Sequence, residues 1–164
     1  MPHDLERFRI AQEDPFAGFA SALAEMRAGQ KQGHWIWYVF PQLAGLGSSR
    51  LAQAYGISGR AEAIDYLRDP VLRERLVTIT EAVAAHIRDG LSLVRLMNSR
   101  IDAQKLVSSL TLFESVAREH SGSGEGEKYR SLADAASTVL DAAGQQGFTR
   151  CRYTLDVLAP QSDG

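Results

Sequence analysis

The feature that most constrains this chain is the apolar period behind Asp69-Pro70. Leu72, Leu76, Ile79, Val83 and Ile87 recur at steps of four, three, four and four, which places them on one face of an α-helix. Aspartate before proline is a helix start. The carboxylate accepts from N–H groups that have no partner in the first turn, and proline there gives up only an N–H that would go unpaired anyway. Gly90 supplies the stop. Such a helix is stable only when its apolar stripe is covered, so the rest of the chain must offer stripes of the same period.

It does. Leu5, Phe8 and Ala11 follow Asp4, read as a cap. Phe16, Phe19, Leu23 and Met26 follow Pro15, read as the opening of a second helix. Ala61, Ile64 and Leu67 follow Ser58, read as the cap of a helix from Gly59 to Arg68. A long helix is expected from about Ser99 to His120, with Leu106, Leu110, Phe113 and Val116 inward. Another is expected from Tyr129 to Ala143, with Leu132, Ala136, Val139 and Leu140 inward and Gly144 as its end. His34–Phe40 (HWIWYVF) and Cys151–Leu158 fit either a strand or a helix. The expected fold is all-α: a compact single-domain bundle of about six to eight helices of unequal length. It spans residues 1–164, with a flexible loop at 121–127 (SGSGEGE) and a short tail at 159–164.

Composition narrows the functional classes. At 164 residues with 45% hydrophobic content, the chain has enough apolar material for one core. Its 18 Lys and Arg against 20 Asp and Glu leave a net charge of −2, which argues against nucleic acid as a partner. One cysteine, Cys151, excludes a disulfide framework and multi-cysteine zinc sites. The four histidines are dispersed without metal-ligand spacing, so no metal and no cofactor is implied. No apolar run approaches the roughly 20 residues of a membrane span, and MPHDLERFRI lacks the apolar core of a signal peptide. A cytoplasmic protein, monomeric or homodimeric, is expected.

Two clusters carry candidate chemistry. The first is Lys31–Ser49 (KQGHWIWYVFPQLAGLGSS), which holds both tryptophans. Read as a helix, its first part puts Lys31, His34, Trp37 and Tyr38 on one face. Trp35 or Trp37 would stack on a ring, with Lys31 and Gln42 beside it. The alternative is that the aromatic residues are core anchors. Gly45, Gly47 and Ser48 form a turn before a helix through Leu51 and Tyr55, a geometry that can hold an anion, although Ser48 or Ser49 serves equally as a plain cap. The second cluster is Asp102, Lys105, Ser108, Ser109 and Thr111. Asp102, Lys105 and Ser109 fall at steps of three and four, a polar stripe with small hydroxyls in mid-helix. That stripe suits either a ligand or a polar seam against another helix. His34 and Asp102 are the candidate acid–base groups, with Glu25 and Asp65 as further carboxylates nearby. Arg150 and Arg152 flank Cys151 and could lower its pKa.

DLERFRIAQE, GQKQGHWIWYVFPQLAGLGSS, AQAYGISGRAEAIDYLRDPVLRERL and IDAQKLVSSLTLFESV together resemble the bacterial domain-of-unknown-function family 1810, from roughly Asp4 to Leu158. The resemblance implies a small helical domain and makes TLDVL a closing helix. It carries over Gln12, Lys31, His34, Trp35, Trp37, Phe40, Pro41, Gln42, Gly45, Gly47, Ser48, Asp102, Lys105, Ser108, Ser109, Thr111 and Phe113. Relatives often bear the label calpastatin, a disordered lysine-rich inhibitor, with which a chain of amphipathic helices disagrees. A shorter likeness, an Ala-Gln before a lysine-bearing aromatic segment, is similar to the NADAR family, whose members cleave N-glycosidic bonds.

Two functions are therefore expected to compete. One is a small-molecule- or nucleotide-binding domain, or a hydrolase acting at an N-glycosidic bond of a nucleoside- or ADP-ribose-like ligand. The other is a non-enzymatic interaction module that uses segment 34–46 as a partner or dimer surface.

Overall fold

A computed structural model describes residues 3–122 and 124–160 of the chain. Three long helices dominate. The one announced by Asp69-Pro70 is α6 (Pro70–Arg88), and α8 (Arg100–His120) and α9 (Glu127–Gln145) are the others. Asp69 caps α6 by accepting from Val71 N and Leu72 N at 3.0 and 3.1 Å, and all five stripe residues are buried. Ser99 caps α8 by accepting from Asp102 N at 2.9 Å.

The shorter helices wrap this frame: α1 (Glu6–Gln12), α2 (Phe19–Ala28), α3 (Ile36–Val39), α4 (Arg50–Ala54), α5 (Arg60–Arg68), α7 (Leu93–Met97) and α10 (Arg152–Leu158). Helix α9 lies against both α6 and α8, while α2 covers α6 and α1 covers α3. α3, α5, α7 and α10 all lie against α8. Every residue from Leu106 to Phe113 is consequently buried. One apolar cluster includes residues from every helix except α4. Among the described residues no helix is long and apolar enough to cross a membrane.

Ten helices among the described residues exceed the six to eight expected. The surplus is in one- and two-turn helices set by local contacts. Residues 36–39 make a single turn ended by Phe40 and Pro41, and 152–158 form a helix rather than a strand. One isolated parallel bridge, Leu43 to Ile57, is the sole β pairing among the described residues.

Pro15 does not open α2. Asp14 accepts from Phe16 N and Ala17 N, both at 2.8 Å, which makes a turn there. Phe16, placed in the buried stripe by its spacing, is 88% exposed in consequence. The helix starts after Gly18, where a Cβ would come within 2.3 Å of Asp14 O. Two caps also move: α1 follows Leu5 rather than Asp4, and α5 follows Gly59, with Ser58 N donating to Glu62 Oε1 at 2.8 Å. Gly144 lies inside α9, whose end is marked by Gly147 at φ +93°. Of the expected loop at 121–127, Glu127 instead begins α9, and Ser123 lies outside the described residues. Of the expected tail, residues 161–164 lie outside the described residues.

Replacing Asp69 by alanine removes the cap of α6 and the carboxylate that meets Arg9 at 3.1 Å. A loss of about 1 kcal/mol is expected, read as a lower urea midpoint with unchanged slope. An unchanged midpoint would show that the cap contributes nothing.

Candidate functional site

Lys31 is the centre of the first cluster. Its side chain is only 4% exposed, and its Nζ meets Asp102 Oδ2 at 2.8 Å and donates to Gly33 O. A buried ammonium has to be paired in this way, because a lone charge there is prohibitively expensive. The Lys31 backbone N donates to Leu96 O at 2.7 Å, fixing the α2–α3 connection onto α7. Glu25 organises the same connection from the other side: its Oε1 accepts from Gln32 N, Gly33 N and Trp35 Nε1 at 2.7 to 2.9 Å. Burial acts to raise the Glu25 pKa, but the donors from Gly33, Gln32 and Trp35, with the charge of Lys31, outweigh it and hold it below the usual range.

The two tryptophans part company here. Trp35 is fully buried, 5.0 Å from the Lys31 ammonium and bonded to Glu25, so it is a core anchor. Trp37 is half-buried, and the Lys105 ammonium lies 4.4 Å from its ring centroid. Its indole N–H is buried with no acceptor among the described residues. Lys105 reaches Asp102 Oδ1 only at 3.8 Å, because Lys31 holds that carboxylate more closely. Ser109, one turn along α8 from Lys105, is fully buried and its hydroxyl too has no partner among the described residues. Orphaned buried polar atoms are rare enough to require an explanation.

Lys31, Trp35, Trp37, Asp102 and Lys105 thus form one contiguous group across the α3–α8 contact. The single helical face proposed for Lys31, His34, Trp37 and Tyr38 does not exist, because 31–35 is not helical. His34 lies exposed on a bend, while Tyr38 is turned inward and donates to Ala17 O at 2.6 Å.

Gln12 belongs to a different network. It is buried, donating to Tyr38 O at 2.8 Å and Tyr66 Oη at 3.1 Å while accepting from Arg75 Nη1 at 3.2 Å. The backbone carbonyl of Gln42 accepts from Ile57 N at 2.9 Å. At Gly45 the Tyr153 hydroxyl stands 2.4 Å from where a Cβ would be, and it donates to Ala44 O. Gly47 packs near Ala52, Ser48 is exposed, and Ser49 is the cap of α4. Thr111 is a polar seam: its Oγ1 donates to Val107 O at 2.7 Å and accepts from Cys151 N at 3.1 Å. Asp65 is also accounted for, meeting His3 Nδ1 at 2.7 Å.

Ser108 faces elsewhere. It lines a cleft of about 220 Å³ between α8 and the segment before α10, with Arg100, Gln104, Arg150, Cys151 and Arg152. Arg100, Gln104 and Ser108 recur at steps of four, so this second polar face was visible in the spacing but was masked by the 102–105–109 stripe.

A sequence profile described as "Protein of unknown function (DUF1810)" matches residues 2–134. The chain belongs to this family. The profile stops before α10, yet the fold continues the likeness: the crystal structure of the conserved hypothetical protein Rv1873 from Mycobacterium tuberculosis is similar at 36% identity and a TM-score of 0.73. That match covers 98% of this chain and all of the other. No curated protein matches the chain. Among the described residues no group of three or more His, Cys, Asp or Glu is placed to hold a metal ion.

Two outcomes follow for this family member. Lys31→Ala leaves Asp102 short of its close partner and should lower stability by about 3 kcal/mol, most of it regained in Lys31→Met/Asp102→Leu; a neutral single variant would contradict the pairing. Glu25 has its pKa depressed in the folded state, so its contribution is complete above its ordinary value of 4.5 and fades as pH falls below it. Glu25→Gln should therefore be less stable than the parent at neutral pH and converge with it in acid, and a gap independent of pH would refute this.

Proposed function

We propose that this chain is a small-molecule-binding domain whose ligand carries an aromatic ring and an anionic group, as a nucleotide or an ADP-ribose-like compound does. The ring stacks at Trp37 and the anionic group meets Lys105. The observation that supports the reading is the division of Asp102 between two lysines. Lys31 takes the carboxylate at 2.8 Å and leaves Lys105 at 3.8 Å, beside a half-exposed indole whose N–H has no partner among the described residues. A cation partly withdrawn from water and loosely paired is where an anion gains most.

Binding fits better than hydrolysis at an N-glycosidic bond. Proton transfer would fall to Asp102, already held by two cations, or to His34, on an exposed bend. The interaction-module reading has less apolar surface to use, because Trp35, Ile36, Tyr38, Val39, Phe40 and Leu43 are all buried in the chain's own core.

The test is thermal denaturation of the parent and Lys105→Met against nucleoside monophosphates, ADP-ribose, NAD and phosphosugars. At about 100 times Kd a ligand adds roughly 2.7 kcal/mol. The expected result is a shift with ring-bearing anions, smaller with phosphosugars, and absent in Lys105→Met, whose apolar stem still covers Trp37. Equal shifts in both proteins, or none with any compound, would reject the reading.

A further inference from the structure

On the flank of α8 away from Trp37, the cleft of about 220 Å³ is lined by Arg100, Arg150 and Arg152, and no carboxylate is among its lining residues. The guanidinium of Arg150 is held in place from behind. Its Nε and Nη2 donate to Glu114 Oε1 and Oε2, both at 2.9 Å, and Nη2 also meets Asp141 at 3.2 Å. Among the described residues its Nη1 meets no acceptor. The Arg100 guanidinium lies 4.7 Å from the centroid of the Phe148 ring and makes no ion pair among the described residues. Arg152 reaches only Asp156, at 3.4 Å, and is otherwise largely in solvent.

Between these cations the walls present further polar groups, the Gln104 amide, the Ser108 hydroxyl and the Cys151 thiol. Planar guanidinium groups match the oxygen pairs of phosphate and carboxylate, and they outperform ammonium groups at that task. The volume of about 220 Å³ equals about seven waters at about 30 Å³ each in the liquid, so a phosphate- or carboxylate-sized group enters with room for water beside it.

We infer that this cleft is a binding site for a small oxyanion, a phosphate or carboxylate group, gripped by Arg100, Arg150 and Arg152. Arg150 is the fixed member, pre-oriented by Glu114, and Arg100 and Arg152 close on the anion from the α8 and α10 sides. The site is separate from the Trp37–Lys105 group and does not depend on it.

Cys151, the chain's single cysteine, lies in the cleft and reports on its occupancy. Burial acts to raise the thiol's pKa, but Ser108, Thr154 and the backbone N–H groups of Thr154 and Tyr153 outweigh it and bring it down. The experiment follows alkylation of Cys151 by iodoacetamide at constant ionic strength, adjusted with chloride, as inorganic phosphate or succinate is added. Occupancy should slow alkylation by the factor 1 + [anion]/Kd, about tenfold at ten times Kd. Arg100→Gln/Arg152→Gln should abolish the protection, read for each protein as the ratio of its own rates with and without anion, so that a change in the thiol's intrinsic reactivity cancels. Protection by phosphate alone assigns a tetrahedral oxyanion and protection by succinate alone assigns a carboxylate; either supports the site.

A rate indifferent to both anions, or protection unchanged in the double variant, overturns it. Should the thiol not react at all, the same anions are tested by melting temperature against chloride. A rise in the parent that is lost in the double variant supports the site, and an equal rise in both overturns it.

Discussion

Everything in this fold depends on one helix being surrounded. Helix α8 is buried without interruption from Leu106 to Phe113, which an amphipathic helix on a surface never is. A fully enclosed helix would ordinarily be apolar all round. This one carries Ser108, Ser109 and Thr111 in its enclosed stretch, so each hydroxyl must find a partner inside or leave a polar atom unpaired. Small hydroxyl residues also let neighbouring helices approach closely. Thr111 uses this by joining its own turn to the first residue before α10.

Two stretches of α8 are anchored by charge as well as by apolar packing. Near its start, Asp102 receives Lys31 from the α2–α3 connection. Further along, Glu114 is met by Arg150 and by the Ser137 hydroxyl from α9. Although burial acts to raise the Glu114 pKa, these donors, together with Arg118, hold its carboxyl below the ordinary range. The same ion pairs that fix α8 leave Lys105 and the outward side of Arg150 only partly engaged. That is why the two candidate sites lie on opposite flanks of one helix, each beside a structural ion pair.

The long helices were legible because their stripes repeat often enough to outvote local noise, and because Asp69-Pro70 is a cap with one physical reading. The short helices were not. Single-turn α3 has no period to detect, and the position of Pro15 outside a helix depends on Asp14 bonding two backbone N–H groups and on the close approach at Gly18. Phe16 shows the limit most plainly: its spacing fits the stripe, and the turn carries it into solvent.

The site was half legible. Unusual composition marked the Lys31–Phe40 segment and the α8 hydroxyls, and the fold brings Lys31, Trp37, Asp102 and Lys105 together, but spacing alone could not say which tryptophan packs inward. That is decided by Glu25, ten residues away in sequence, which accepts the Trp35 indole N–H and leaves Trp37 without such a partner. Nor could spacing show that Gln12 belongs to the α1–α5 seam. Its role is set by Tyr38 and Tyr66, which only the folded chain brings to it.

The account rests on this difference between the two indoles, and their N–H resonances in a proton–nitrogen correlation spectrum test it directly. Trp35, bonded to Glu25, should be insensitive to an added nucleoside monophosphate, while the Trp37 resonance should move and saturate. Both signals unmoved, or both moving together, would contradict the account.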